Sequence, residues 1–208
     1  MDTIVVALLN GLIYGLLLFM ISSGLTLIFG IMGILNFAHA SFYMLGAYLA
    51  FAATRIFGFW GGIVFGTLGV ALIGLLCERT LLRHVRRHGH VQELLLTFGL
   101  SFAFEELVKV FFGPYAVSYP VPESLRFAAF SIGAVQYPFF RVLIGATAIA
   151  MFAAIFCLLR FTRIGLVVRA AVLNPDMVRA LGYNVSAIFS GMFAVGAGLA
   201  GLAGAMGG

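Results

Sequence analysis

The stretch that decides the reading is Arg160–Val185, RFTRIGLVVRAAVLNPDMVRALGYNV. Four of the chain's twelve basic residues lie in it, Arg160, Arg163, Arg169 and Arg179. The sequence on either side is apolar enough to sit in lipid. Within the stretch the punctuation predicts a short helix. Asn174 suits the cap position, Pro175 the first helical position and Asp176 the positive end of the helix dipole, with Gly182 as a left-handed stop. Met177, Val178 and Leu181 give this helix a small apolar face, Met177 and Leu181 being four residues apart. A basic-rimmed amphipathic helix between membrane spans suits docking on a soluble partner; the plainer reading is a loop whose arginines only set topology.

Outward from this segment the composition bounds the class. Of 208 residues 63% are hydrophobic and 9% charged, far from the balance of a soluble domain. The apolar runs are continuous and about twenty residues long, which suits helices and not the alternating strands of a barrel. The expectation is an all-α integral membrane protein, a polytopic helix bundle of six spans in one domain covering residues 1–208. The spans fall at about 4–29, 42–57, 60–82, 94–112, 139–159 and 187–206. Twenty-six glycines favour close helix contacts. The net charge of +5 does not point to nucleic acid, because the basic residues gather in loops as the positive-inside rule expects. No cleavable signal peptide is evident, and Cys77 and Cys157 form no CxxC, so no structural disulfide framework is expected.

The first span is long for a hydrocarbon core of about 30 Å, so a tilt or a break is expected, with Asn10-Gly11 and Ser22-Ser23-Gly24 as candidate breaks. Gly11 and Gly15 allow a close helix neighbour. GIMGILNFAHAS, residues 30–41, carries Asn36 and His39. Either these cap a helix near the cytoplasmic interface, or they mark an irregular turn beside a translocation pathway. Arg55 and Trp60 mark the interface between spans two and three. The segment ERTLLRHVRRHGHVQE, residues 78–93, with Arg79, Arg83, Arg86 and Arg87, is a cytoplasmic loop by the charge rule. Glu105, Glu106 and Lys109 lie in the fourth span. Glu105 and Lys109 share a helical face, so they either pair structurally or serve substrate. Residues 113–138, with Pro114, Pro120, Pro122 and Pro138, read as an external loop. Ala197, Gly201 and Ala205 form a row of small residues in the last span. Basic loops inside and six spans place both termini outside. The absence of a polar tail after Gly208 suggests a fragment.

Two blocks resemble the branched-chain amino acid permeases of ATP-binding cassette importers. GLTLIFG, NFAH and FYMLGAY, within residues 11–51, carry the more specific likeness; RIGLVVRAAVLNPDMVRALGYNV and the glycine-rich last span carry the second. LLLTFGLS, opening span four, also matches. The resemblance covers nearly the whole chain. In such permeases an acidic residue, two alanines, three residues and a glycine mark the helix that docks into the cytoplasmic ATPase. Asp176 and Gly182 keep that spacing, while the alanine pair and a downstream proline are absent. At Ala40-Ser41 many relatives carry glycine and an acidic residue. Relatives also continue for about two more spans.

The resemblance implies a multi-pass subunit of the bacterial plasma (inner) membrane that moves branched-chain or other hydrophobic amino acids by alternating access. Its implied partners are cytoplasmic ATPase subunits, a second related permease subunit, a periplasmic or extracellular substrate-binding protein and membrane lipid. Relatives that carry urea or short amides are an alternative, and so is an ion-coupled carrier or channel acting through Glu105 or Glu106. A non-transporting scaffold would leave Asn36 and His39 unexplained. The sequence contains no GxxxxGK[ST] loop, nucleophile–base pair or metal cluster. The chain is therefore expected to bind no cofactor and to be no enzyme in its own right, ATP being used by the partner subunits. The residues singled out are Asn174, Pro175, Asp176, Met177, Val178, Leu181 and Gly182 for coupling, and Asn36, His39, Ser41, Glu105, Glu106 and Lys109 at membrane depth.

Overall fold

The structure, a computed structural model, describes residues 2–33, 35–86, 89–115, 121–132 and 135–208. Arg87 and Pro120 lie outside them. Helix α1 (Asp2–Met32) is followed by α2 (His39–Cys77), a five-residue π-helical turn (Glu78–Leu82), α3 (Arg83–Val85) and α4 (His90–Phe112). Strands β1 (Ala128–Ile132) and β2 (Val135–Pro138) precede α5 (Phe139–Phe161), α6 (Arg163–Leu173), α7 (Pro175–Ala180) and α8 (Val185–Gly207).

Among the described residues, four helical stretches are long and apolar enough to cross a membrane: Ile4–Met32, His39–Val85, Phe139–Phe161 and Val185–Gly207. The apolar runs of the sequence predict six. The second stretch, 47 residues, would run about 70 Å if straight, over twice a hydrocarbon core. It does not, because Gly58 takes φ 72° and ψ 177° and turns the chain back on itself. A Cβ on Gly66 would lie 2.8 Å from the Ala50 nitrogen, and one on Gly62 2.8 Å from the Ala50 carbonyl oxygen, so the arms before and after Gly58 press together backbone to backbone. Only glycine adopts that φ without strain. The break falls between the expected second and third spans. Helix α4 is set apart from these four by its charges, Glu93, Glu105, Glu106 and Lys109.

Helix α8 is the centre of the bundle. Ala197, Ala200 and Ala203 are fully buried, and both arms of α2 and the middle of α1 pack on it. The fit depends on missing side chains. A Cβ on Gly46 would overlap Gly201, one on Gly204 would enter the Tyr43 carbonyl, and one on Gly196 would meet the Gly24 oxygen at 2.9 Å. In lipid no hydrophobic drive brings helices together, so such close approach is what dispersion and packing have to work with.

Several expectations are corrected. Helix α1 is unbroken. The hydroxyls of Ser23 and Thr26 donate to Met20 O and Ser22 O at 2.8 Å, which satisfies them inside the helix instead of interrupting it. A Cβ added to Gly11 or Gly15 would have nothing within 4 Å, so among the described residues no helix presses closely on that pair. The segment after Phe112 is not only loop. Strands β1 and β2 pair antiparallel, and Phe130 stacks on Tyr137 at 5.2 Å between ring centroids. Residues 160–186, expected as one loop with one short helix, hold two. Thr162 caps α6 by accepting from Gly165 N at 3.1 Å.

Candidate functional site

Helix α7 is fixed at both ends by local chemistry. Asn174 Oδ1 accepts from Met177 N at 3.0 Å, Pro175 occupies the first turn, and Arg179 pairs with Asp176 at 2.8 Å. At its far end Tyr183 N bonds Val178 O (3.3 Å) and Gly182 N bonds Arg179 O (2.9 Å), with Gly182 at φ 88°. These two bonds with a left-handed glycine are a Schellman stop. The apolar face is divided. Val178 is buried in a small cluster with Ala171 and Val185, whereas Met177 and Leu181 are 63% and 69% exposed. Val178 thus anchors α7 to α6 and α8, and Met177 and Leu181 point away from the chain. This corrects the expectation that all three residues share one docking face. A six-residue helix cannot bury and present the same face at once.

The NFAH segment forms an irregular turn. Gly33 takes φ 71°, Asn36 Oδ1 accepts from Ala38 N at 3.0 Å, and His39 opens α2. Asn36 and His39 are 6% and 3% exposed. His39 Nε2 donates to Ile21 O at 3.0 Å, tying the turn to the middle of α1. Asn36 Nδ2 and His39 Nδ1 are buried without a hydrogen-bond partner among the described residues. Such turns occur at membrane depth only inside protein or beside a cavity. Ser41, one turn on, donates a long bond to Ser101 O (3.4 Å) on α4. Lys109 lies 2.8 Å from Glu105 and 2.9 Å from Glu106. A cleft of about 330 Å³ between α2 and α4 brings Ser41 together with Glu105 and Lys109, while Asn36, His39 and Glu106 do not line it.

A buried polar cluster lies where the sequence predicts only a basic loop. Glu78 and Glu93, each 1% exposed, face Arg86 at 3.7 and 3.4 Å. Ser190 on α8 donates to Glu78, and Arg86 also reaches Met32 Sδ at 3.2 Å. The segment 78–93 is therefore no plain loop. Its helix continues through the π turn, and two of its charges turn inward. The only available signal was the pair of acidic residues bracketing an arginine run. Arg87 and His88, within that run, lie outside the described residues.

An unbroken α1, a folded-back α2, a glycine-lined α8 and an exposed capped helix between apolar helices define a multi-pass helical membrane protein. The chain matches, over residues 7–207, the family described as the permease component of branched-chain amino acid transport systems. It is 30% identical over 215 aligned residues to the high-affinity branched-chain amino acid transport system permease protein LivH of Salmonella typhimurium, and equally to that of Escherichia coli; each alignment covers 95% of this chain and 68% of the relative. It is 26% identical to the permease protein BraD of Pseudomonas aeruginosa, over 94% of this chain and 68% of that one. No solved structure gave a significant match. The chain belongs to the branched-chain amino acid permease family.

Proposed function

We propose that the chain is the transmembrane permease subunit of an ATP-driven importer of branched-chain or related hydrophobic amino acids in the plasma (inner) membrane. The observation that carries this is α7, a capped helix whose outward residues, Met177 and Leu181, are apolar while Val178 holds it to the bundle. In this reading Met177 and Leu181 enter a groove on a cytoplasmic ATPase, and Val178 passes the motion of that subunit to α6 and α8. A second permease subunit completes the pathway, and a substrate-binding protein delivers the amino acid outside. ATP is held by the ATPase subunits and this chain holds no cofactor. The two arms of α2, with α1, α4, α5 and α8, make six crossings, and both termini are external.

Two tests follow from this reading. In the assembled importer Gly182→Val places a β-branched residue at φ 88°, a strain of about 1–3 kcal/mol. A Cβ there meets nothing within 4 Å, so only the backbone objects. Met177→Asp puts a charge on the outward apolar residue. Both variants are expected in the membrane at normal amounts, with ATPase co-purification and uptake reduced about tenfold. Normal retention of the ATPase in both would remove α7 from the coupling step. For topology, single cysteines at Gly89 and Ser124 in a Cys-free background should label oppositely with an impermeant reagent, Ser124 reacting in intact cells and Gly89 protected. Labelling of both would discard six crossings.

A further inference from the structure

The cleft between the first arm of α2 and α4 is chemically matched to one kind of ligand. Its volume, about 330 Å³, lies at the small end of the range of about 300–1,000 Å³ typical of ligand pockets. Met44 and Val108 contribute apolar lining, Ser41 and Tyr48 are the hydroxyl-bearing residues of the same lining, and Glu105 and Lys109 supply one charge of each sign. Glu105, Glu106 and Lys109 stay 48%, 67% and 42% exposed at the side chain, so the described residues leave them uncovered. Charges on the lipid face of a span are costly, which argues that this face meets water or protein instead. One ammonium between two carboxylates also leaves an excess of negative charge able to attract a second ammonium.

We propose that this cleft binds the head group of a zwitterionic α-amino acid. Glu105 receives the α-ammonium, Lys109 with the hydroxyls of Ser41 and Tyr48 receives the α-carboxylate, and an aliphatic side chain lies on Met44 and Val108. The Lys109–Glu105 pair, 2.8 Å long in this structure, opens to admit both ligand charges between its partners. The Ser41 hydroxyl is free to turn, since its bond to Ser101 O is 3.4 Å long. The assignment rests on the permease reading and adds to it the residues that hold the substrate.

The test is uptake of radiolabelled leucine by the complete importer in proteoliposomes, with leucine-loaded binding protein as the varied component. Lys109→Met and Glu105→Gln are each expected to lower the maximal rate about tenfold or more, the loss of a charged hydrogen bond, while the half-saturating concentration of loaded binding protein stays unchanged. The paired exchange Glu105→Lys with Lys109→Glu keeps a helical ion pair but reverses its polarity. Uptake should stay low in it; recovery to the wild-type rate would show a structural tie and overturn the proposal. If the charge variants fail to assemble, Ser41→Ala combined with Tyr48→Phe keeps volume and charge and should still cost about tenfold, whereas an unchanged rate would overturn the proposal. A wild-type importer that ignores leucine would defeat the permease reading itself. A wild-type importer that transports leucine, with the exchange variant restored, would defeat the cleft alone.

Discussion

Gly46→Val is expected to keep the chain from reaching its folded state. Gly46 lies on the first arm of α2 where that arm crosses α8, and a Cβ there would fall on Gly201, 2.7 Å from its carbonyl carbon. The atoms in the way are backbone, so no rotamer change relieves the clash and one helix has to move. Movement would spread, since Gly201 meets Val70 on the other arm and Gly204, one turn on, abuts Tyr43 and Ala47. Overpacking commonly costs about 1–3 kcal/mol where side chains can give way. Here two branches and a Cβ press on a fixed backbone, and the cost should exceed that range. The internal control is Gly11→Val, since a Cβ at Gly11 has nothing within 4 Å. Fluorescence-detected size exclusion in detergent, with a thermal ramp, measures both. Gly46→Val should be aggregated or absent and Gly11→Val monodisperse with a melting temperature close to wild type. Equal behaviour would mean that the α2–α8 contact does not hold the bundle together.

That crossing also shows which parts of the fold the sequence made visible. The long apolar runs made it visible that the chain carries helices able to cross a membrane, because lipid demands a minimum length whatever the tertiary structure. The caps of α7 were visible for a similar reason. Asn174, Pro175 and Gly182 act on backbone groups no more than four residues away, so local sequence determines them. The direction of Val178 was not visible, because it depends on Ala171 and Val185 lying beneath it. Nor could glycine spacing say which pairs touch. Gly11 and Gly15 have the small-residue spacing, yet among the described residues nothing lies within 4 Å of a Cβ added there, while Gly46 and Gly201, far apart in sequence, share one crossing. For the candidate site, the polar residues at membrane depth could be picked out as types. That Ser41 and Tyr48 on α2 would face Glu105 and Lys109 on α4 follows only from the two helices lying side by side.

The buried cluster at Arg86 is the clearest case of tertiary structure overriding composition, and it carries the second large prediction. Arginines in a basic interhelical segment ordinarily face water. Arg86 instead reaches Glu78 on the π turn and Glu93 at the start of α4, while Ser190 bonds Glu78 from α8. With its contact to Met32 at the end of α1, this one guanidinium joins three stretches of chain, and Ser190 ties α8 to them through Glu78. Its flat, forked donors can serve two carboxylates at once, which a lysine ammonium does less well. Arg86→Met should therefore leave two carboxylates, each 1% exposed, without their counter-charge. Breaking a buried ion pair from one side costs about 3–5 kcal/mol, a large part of the stability of a domain. On the scaling for a chain of this size that lowers the melting temperature by about 6–20 °C. Arg86→Lys should fall between wild type and Met. The informative comparison is Arg86→Met together with Glu78→Gln and Glu93→Gln, which removes the buried charge altogether. Because the penalty comes from uncompensated carboxylates and not from lost attraction, this triple variant should recover most of the stability that Arg86→Met loses. A triple variant no more stable than Arg86→Met would show that Arg86 acts through packing against Met32, and that the two glutamates do not depend on its charge.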